Sequence, residues 1–174
     1  MHVFRLHGYG GQGIDIARKI LGRAAFLSGL NVQDFTLHPT EWRTQPTVAY
    51  VKASKDTITS RDLPAPDFLL VFDTELAASA IADAKDETVA IFNCGKLTQA
   101  VKKKVKSYHL PATDVALANL KSTCPNTAML GALCKIFNKF TLRSIKRAAE
   151  IELKEMQAEN AAAIEEGFRS VKRG

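Results

Sequence analysis

Apolar and polar positions change period repeatedly along this chain. His2–His7 opens as an apolar-rich strand. Ile16, Ala17, Ile20, Leu21, Ala24 and Leu27 then recur at helical spacing, which predicts a helix over Ile14–Ser28 stopped by Gly29. Asn31–Leu37 returns to strand character, His38–Pro46 is polar and loop-like, and Thr47–Ala53 alternates as a half-buried strand does. Asp67–Phe72 and Val89–Asn93 are short continuous apolar runs, the pattern of parallel strands covered on both faces. A helix is expected over Glu75–Asp83 and a short strand over Lys106–Leu110. Helices follow over Ala112–Leu120 and Asn126–Asn138, the second opened by Pro125. Thr141 is placed to cap a further helix, and the charged helical stretch after it is expected to be interrupted near Asn160 and at Gly167. Strands alternating with helices predict an α/β fold with a mainly parallel sheet and a helical C-terminal tail.

Between the first strand and the first helix lies Gly8-Tyr9-Gly10-Gly11-Gln12-Gly13, a G-x-G-x-x-G turn in the context of a dinucleotide-binding domain. It makes the expected architecture a three-layer Rossmann-like domain. Glycines permit positive φ and close backbone approach, and N–H groups converging at a helix start favour an anion. Asp15, in the first helical turn, would repel a phosphate at that end. Asp34 is the right distance along the chain for a ribose-binding acid, but the strand continues past it through Leu37, whereas that acid normally ends its strand. The turn therefore reads either as a phosphate cradle or as a structural turn that packs helix on sheet.

The length of 174 residues suits a single domain, residues 1–174. No apolar run reaches the roughly 20 residues that span a bilayer, and the N-terminus lacks a signal-peptide pattern, so a cytoplasmic protein is expected. Cys94, Cys124 and Cys134 are odd in number and form no C-x-x-C pair, which supports neither a disulfide framework nor an iron–sulfur cluster. Cys134 reads as a small core residue, and Cys124 as a nucleophile only with a base beside it. The net charge of +6 is spread along the chain apart from Lys102-Lys103-Lys104-Val105-Lys106, a solvated segment or a docking site for an acidic partner. RNA-binding patterns are absent, so nucleic acid is not an expected partner. His7, His38 and His109 fall near strand ends, where they line a ligand crevice or make structural hydrogen bonds.

Taken with their neighbours, these residues form a more specific pattern. His7–Gly13 resembles the G-x-G-G-Q-G opening of the γ subunit, or γ-like domain, of pyruvate and other 2-oxoacid:ferredoxin oxidoreductases. Pro39–Val48 is similar to the family's P-x-E-x-R-G-x-P-V stretch, with Thr44 standing where glycine is usual. Ala65-Pro66-Asp67 before the apolar run, Pro111-Ala112-Thr113, Asn126–Leu133 (N-x-x-x-L-G-A-L) and the Asn160 to Gly167 ending follow in the family's order.

The resemblance implies a complex that converts a 2-oxoacid, pyruvate being the leading choice, and coenzyme A to acyl-CoA and carbon dioxide, with electrons passed to ferredoxin or flavodoxin. It implies α, β and in some cases δ subunits as partners. Thiamine diphosphate, iron–sulfur clusters and CoA would belong to the complete complex, and none would be a resident cofactor of this chain. This chain would be inactive alone and, when isolated, open to homodimer formation. Gly8, Gly10, Gly11, Gln12, Gly13 and Arg43 are the expected cofactor-binding or interface residues, with no catalytic residue and no metal ligand among them. Two other readings remain at this point: an NAD(P)-dependent dehydrogenase domain and a stand-alone homodimeric binding module.

Overall fold

The computed structural model describes residues 1–37, 46–98 and 105–174. Seven strands form one sheet: β1 (His2–Tyr9), β2 (Asn31–Leu37), β3 (Pro46–Ser54), β4 (Phe68–Val71), β5 (Val89–Asn93), β6 (Lys106–Leu110) and β7 (Lys172–Arg173), in the order β2-β3-β1-β4-β5-β6-β7. The strands β1, β4, β5 and β6 pair in parallel. β3 runs antiparallel to both β1 and β2, so β2 points the same way as β1, and β7 is antiparallel to β6. Among the described residues only β3 and β7 oppose the common direction, which makes the sheet mainly parallel.

Helix α1 (Ile14–Leu27) lies on one face of the sheet with α3 (Ala112–Leu120), α4 (Asn126–Ile136), α5 (Leu142–Glu152) and α6 (Gln157–Ser170). Their core is built on Phe4, Leu6, Val51, Leu70, Phe72 and Ile91, against which Ile20, Leu21, Met129, Leu130 and Leu133 pack. At one end Phe4, Phe68, Phe137 and Phe140 cross edge-to-face or stack, with centroids 4.8–6.0 Å apart. The opposite face carries a smaller core of Leu69, Val71, Ala90 and Phe92 under Ala77, Ala80 and Ile81.

Two expectations are corrected. The helix read over Glu75–Asp83 is a 3₁₀ turn (Thr74–Leu76) and a single helical turn α2 (Ala77–Ala80). Arg5, buried on β1, explains the stop. Its guanidinium takes the Ala80 carbonyl at 2.8 Å and clamps both Asp83 oxygens at 2.6 and 2.8 Å, so that carbonyl is drawn away from a continuing helix. Burial works against the Arg5 charge, but the hydrogen bonds it donates to Asp83 and Tyr50 outweigh it and raise the pKa.

The second correction concerns the tail. Thr141 caps α5 reciprocally with Ser144, but the break that follows is at Leu153–Met156, where Met156 has φ 52°. Helix α6 runs unbroken through Asn160 and Gly167. The Asn160 side chain satisfies the Met156 carbonyl at 2.8 Å, and Gly167 serves close helix packing.

Candidate functional site

From β1 the chain crosses through α1 toward β2, and from β4 it crosses through α2 to β5 on the other side. The topological switch point therefore falls between β1 and β4, where parallel α/β sheets open a ligand crevice at the carboxyl ends of their strands. The glycine turn sits there. Gly11 and Gly13 have φ 89° and 76°, so both positions need glycine's freedom. A Cβ on Gly8 would lie 2.6 Å from Ile14 Cδ1, and 2.7 Å from Gln12 Oε1.

Gln12 ties the two banks together. Its Oε1 accepts from the Tyr9 N–H at 2.8 Å, and its Nε2 donates to Asp73 Oδ2 at 3.1 Å. Asp73 also caps the 3₁₀ turn after β4 by accepting from the Glu75 N–H. On the far bank, Asn93 at the end of β5 donates to the Phe72 carbonyl at 2.9 Å and to Thr113 Oγ1 at 2.8 Å, and accepts from the Thr113 N–H at 3.1 Å. Cys124 and Asn126 close in on Gly13: a Cβ there would be 2.6 Å from both Cys124 Sγ and Asn126 Nδ2.

The N-termini of α1, α3 and α4 thus meet around one opening of about 450 Å³, lined by Gly10, Gly11, Gln12, Thr113, Ser122 and Thr123. Turn glycines and hydroxyl side chains line it, and among the described residues no carboxylate does. Asp15 is drawn aside by Arg18 at 2.7 Å, Lys19 at 3.0 Å and the Thr36 hydroxyl at 3.2 Å. Burial disfavours the Asp15 charge, but bonds from Arg18 and Lys19 prevail and lower its pKa. The repulsion expected from Asp15 is therefore screened at its source. The donor set fits an anionic group such as a phosphate.

It does not fit a metal centre. Among the described residues no group of three or more His, Cys, Asp or Glu side chains could hold an ion. Burial raises the thiol pKa of Cys94, Cys124 and Cys134, the last to about 11. Cys134 donates to the Phe140 carbonyl inside the core.

The structure gathers Gly8 and Gly10–Gly13 at the crevice. Arg43, His38, Thr44 and Lys102–Lys104 lie outside the described residues. His109 contacts the Cys94 carbonyl through Nδ1 at 3.3 Å. Asn93 escaped the sequence reading; its signal was an amide ending an otherwise apolar run. His7 is 9% exposed, and its Nε2 finds no partner among the described residues.

Burial, then the neighbouring Arg5 charge, depresses the His7 pKa to about 4 against an opposing pull from Asp83. The unfolded chain, with an ordinary histidine near 6.5, binds more protons than the native state between those values. Stability is therefore full above pH 6.5 and falls as pH drops toward 4, by about 3 kcal/mol at most for this group. Denaturant titrations across that window should show the slope, and His7→Gln should flatten it. An unchanged slope in the variant would remove His7 as the source.

The geometry also departs from the usual nicotinamide-dinucleotide arrangement. β3 separates β2 from β1, which sets Asp34 one strand spacing, about 4.8 Å, further from the glycine turn than in an adjacent-strand arrangement. Asp34 is moreover held by Arg18 and pressed against Gly22 of α1.

Fold and site together define a Rossmann-like domain with a glycine turn at its topological switch point. The sequence profile of the pyruvate ferredoxin/flavodoxin oxidoreductase family matches residues 3–170, and the chain belongs to that family. The pyruvate/ketoisovalerate oxidoreductases common subunit gamma of Pyrococcus furiosus is 34% identical over 173 residues, 94% of each chain. The crystal structure of pyruvate oxidoreductase subunit PORC from Thermotoga maritima matches with a TM-score of 0.86 at 28% identity, covering 99% of this chain and 98% of that one. A chain of the 2-oxoglutarate:ferredoxin oxidoreductase of Magnetococcus marinus shares the fold, with a TM-score of 0.82 at 23% identity over 97% of this chain and 30% of that one. No helix among the described residues is long and apolar enough to cross a membrane.

Proposed function

We propose that this chain is the γ-type subunit of a cytoplasmic 2-oxoacid:ferredoxin oxidoreductase, with pyruvate as the leading substrate. The observation that carries the reading is the family membership over nearly the whole chain, joined to a switch-point crevice at which the described residues form no catalytic constellation. The complete enzyme would oxidatively decarboxylate the 2-oxoacid, transfer the acyl group to the CoA thiol, and pass the electrons to ferredoxin or flavodoxin. Thiamine diphosphate and iron–sulfur clusters would supply that chemistry from the α and β subunits and, where one is present, the δ subunit. This chain's residues would shape a wall of the site. Backbone donors of Gly10, Gly11 and Gly13, with Arg43 as a candidate cation, would meet a phosphate of a cofactor or a carboxylate of a partner subunit.

Reconstitution tests it. The purified chain should show no 2-oxoacid-dependent ferredoxin reduction with thiamine diphosphate and CoA, and adding it to the α and β subunits and, where one is present, the δ subunit should restore turnover. Appreciable activity of the chain alone, or full activity of the others without it, would refute the reading. Calorimetry with NADH and NADPH should register no micromolar binding.

A further inference from the structure

The two edges of the sheet are built differently. One is β7, only two residues long, both cationic and both exposed. Short length and positive charge are standard protections of an edge against pairing with another chain. The other edge is β2, seven residues that pair one-to-one with β3 from Asn31↔Ser54 to Leu37↔Val48 without a bulge. An antiparallel strand turns its backbone N–H and C=O groups alternately to either side, so about half of those on β2 face outward. No strand among the described residues takes them. β2 contains no Pro, Lys or Arg, and its one charge, Asp34, is bound to Arg18 of α1.

A second feature lies alongside. Between α1 and β2 runs an open groove of about 370 Å³ whose lining includes Lys19, Gly22, Arg23, Phe26 and Val32. Phe26 is 63% exposed and Leu27 beside it 45%, the apolar end of a helix face that no described residue covers. The charges bordering the groove are matched internally. Asp15 pairs with Arg18 and Lys19, Asp34 with Arg18, and Glu152 with Arg23 at 2.8 Å. A neutralised edge carries no like-charge penalty against an identical edge, whereas the β7 edge would meet its copy cation to cation.

We infer that β2 is a docking edge for a second copy of this chain, which pairs β2 with β2 about a two-fold axis into one continuous sheet and covers Phe26 and Leu27 with the partner's α1. Two-fold antiparallel pairing is self-complementary: equal lengths meet, and each outward donor faces an acceptor. Centring on Asp34 would oppose two carboxylates. Centring on Phe35 sets Phe35 against Phe35 and Asp34 against Thr36, so that register is favoured. The inference stands apart from the reading of the chain as a γ-type subunit, since it concerns the isolated full-length chain.

Sedimentation equilibrium of the full chain, with hydrogen exchange above and below the dissociation constant, tests it. The expected result is a dimer with a dissociation constant in the micromolar range or tighter, and at least about tenfold slower exchange for the outward amides among 33–37, the residues that this register pairs, in the dimer. Thr36→Lys and Phe26→Glu, both at exposed or half-exposed positions, should each weaken the dimer at least tenfold while leaving the circular dichroism spectrum and monomer melting unchanged. Lys172→Glu, on the opposite edge, should not weaken it. A monomer at all concentrations to about 100 μM, or a dimer in which 33–37 exchanges freely and both variants associate normally, overturns the inference. So does protection of 33–37 that appears only when other subunits are added, which would assign the edge to a partner strand.

Discussion

Gly167→Ala will destabilise the fold by about 3 kcal/mol or more, sharing with Gly131→Ala the largest effect expected of a methyl group added to a described glycine. A Cβ at Gly167 would lie 2.0 Å from the Ala128 carbonyl oxygen, and one at Gly131 would lie 2.0 Å from that of Ile164. The obstacles are backbone atoms of the facing helix. No rotamer change relieves them, so α4 and α6 must separate. Separation opens the contact through which Ala128, Ala163 and Ile164, all fully buried, fill the core. For a chain of this length the loss corresponds to a fall in melting temperature of roughly 10 °C. Gly95→Ala, where nothing lies within 4 Å and φ is ordinary, should change it by under about 1 °C. Gly29→Ala separates the two ways a glycine can matter. Its added Cβ meets open space, but φ is 79°, so only the conformational cost of about 1 kcal/mol should appear. Differential scanning calorimetry of the three variants checks the order. A Gly167→Ala protein as stable as Gly95→Ala would mean that the helices cross further apart than described.

Gly13→Ala comes second in stability and first in its consequence for the site. The residue is the N-cap of α1 in the left-handed region, and its added Cβ would meet Cys124 Sγ and Asn126 Nδ2 at 2.6 Å. These are side-chain atoms and can shift, so the expected loss is about 2 kcal/mol, half from φ and half from displacement. The displaced Asn126 and Cys124 stand at the start of α4, one of the three helices whose N-termini frame the crevice. In the reconstituted oxidoreductase, turnover should fall at least tenfold at a temperature where the variant is fully folded. Gly13→Asn tolerates the positive φ better but keeps the clash. It should recover part of the stability and none of the turnover. Recovery of both would make the turn a backbone requirement only and remove the crevice from the function.

These effects sit where local pattern and tertiary packing part company. Asn31–Leu37, Val89–Asn93, Lys106–Leu110 and Ala112–Leu120 were read with the boundaries they have, because each is bounded by polar or turn residues and its period is decided by its own side chains. The glycine turn was legible for the same reason: positive φ is a local demand, and glycine meets it. Glu75–Asp83 misled because the group that ends α2 is Arg5, some seventy positions away in the chain. Gly167 looked like a helix breaker because a glycine that admits another helix and a glycine that stops its own are the same residue in sequence. Asn93 and Asp73 joined the site only when the sheet set β1, β4 and β5 side by side.

By itself the sequence determined most of the elements, the glycine turn and the family pattern, all of which depend on residues a few positions apart. Tertiary structure alone decided that β3 slots between β1 and β2, that Asp15 and Asp34 are held by Arg18 away from the crevice, and that one edge of the sheet is left unguarded. Those facts depend on which strand becomes whose neighbour, and that choice is made by burial summed over the whole core, which no local window contains.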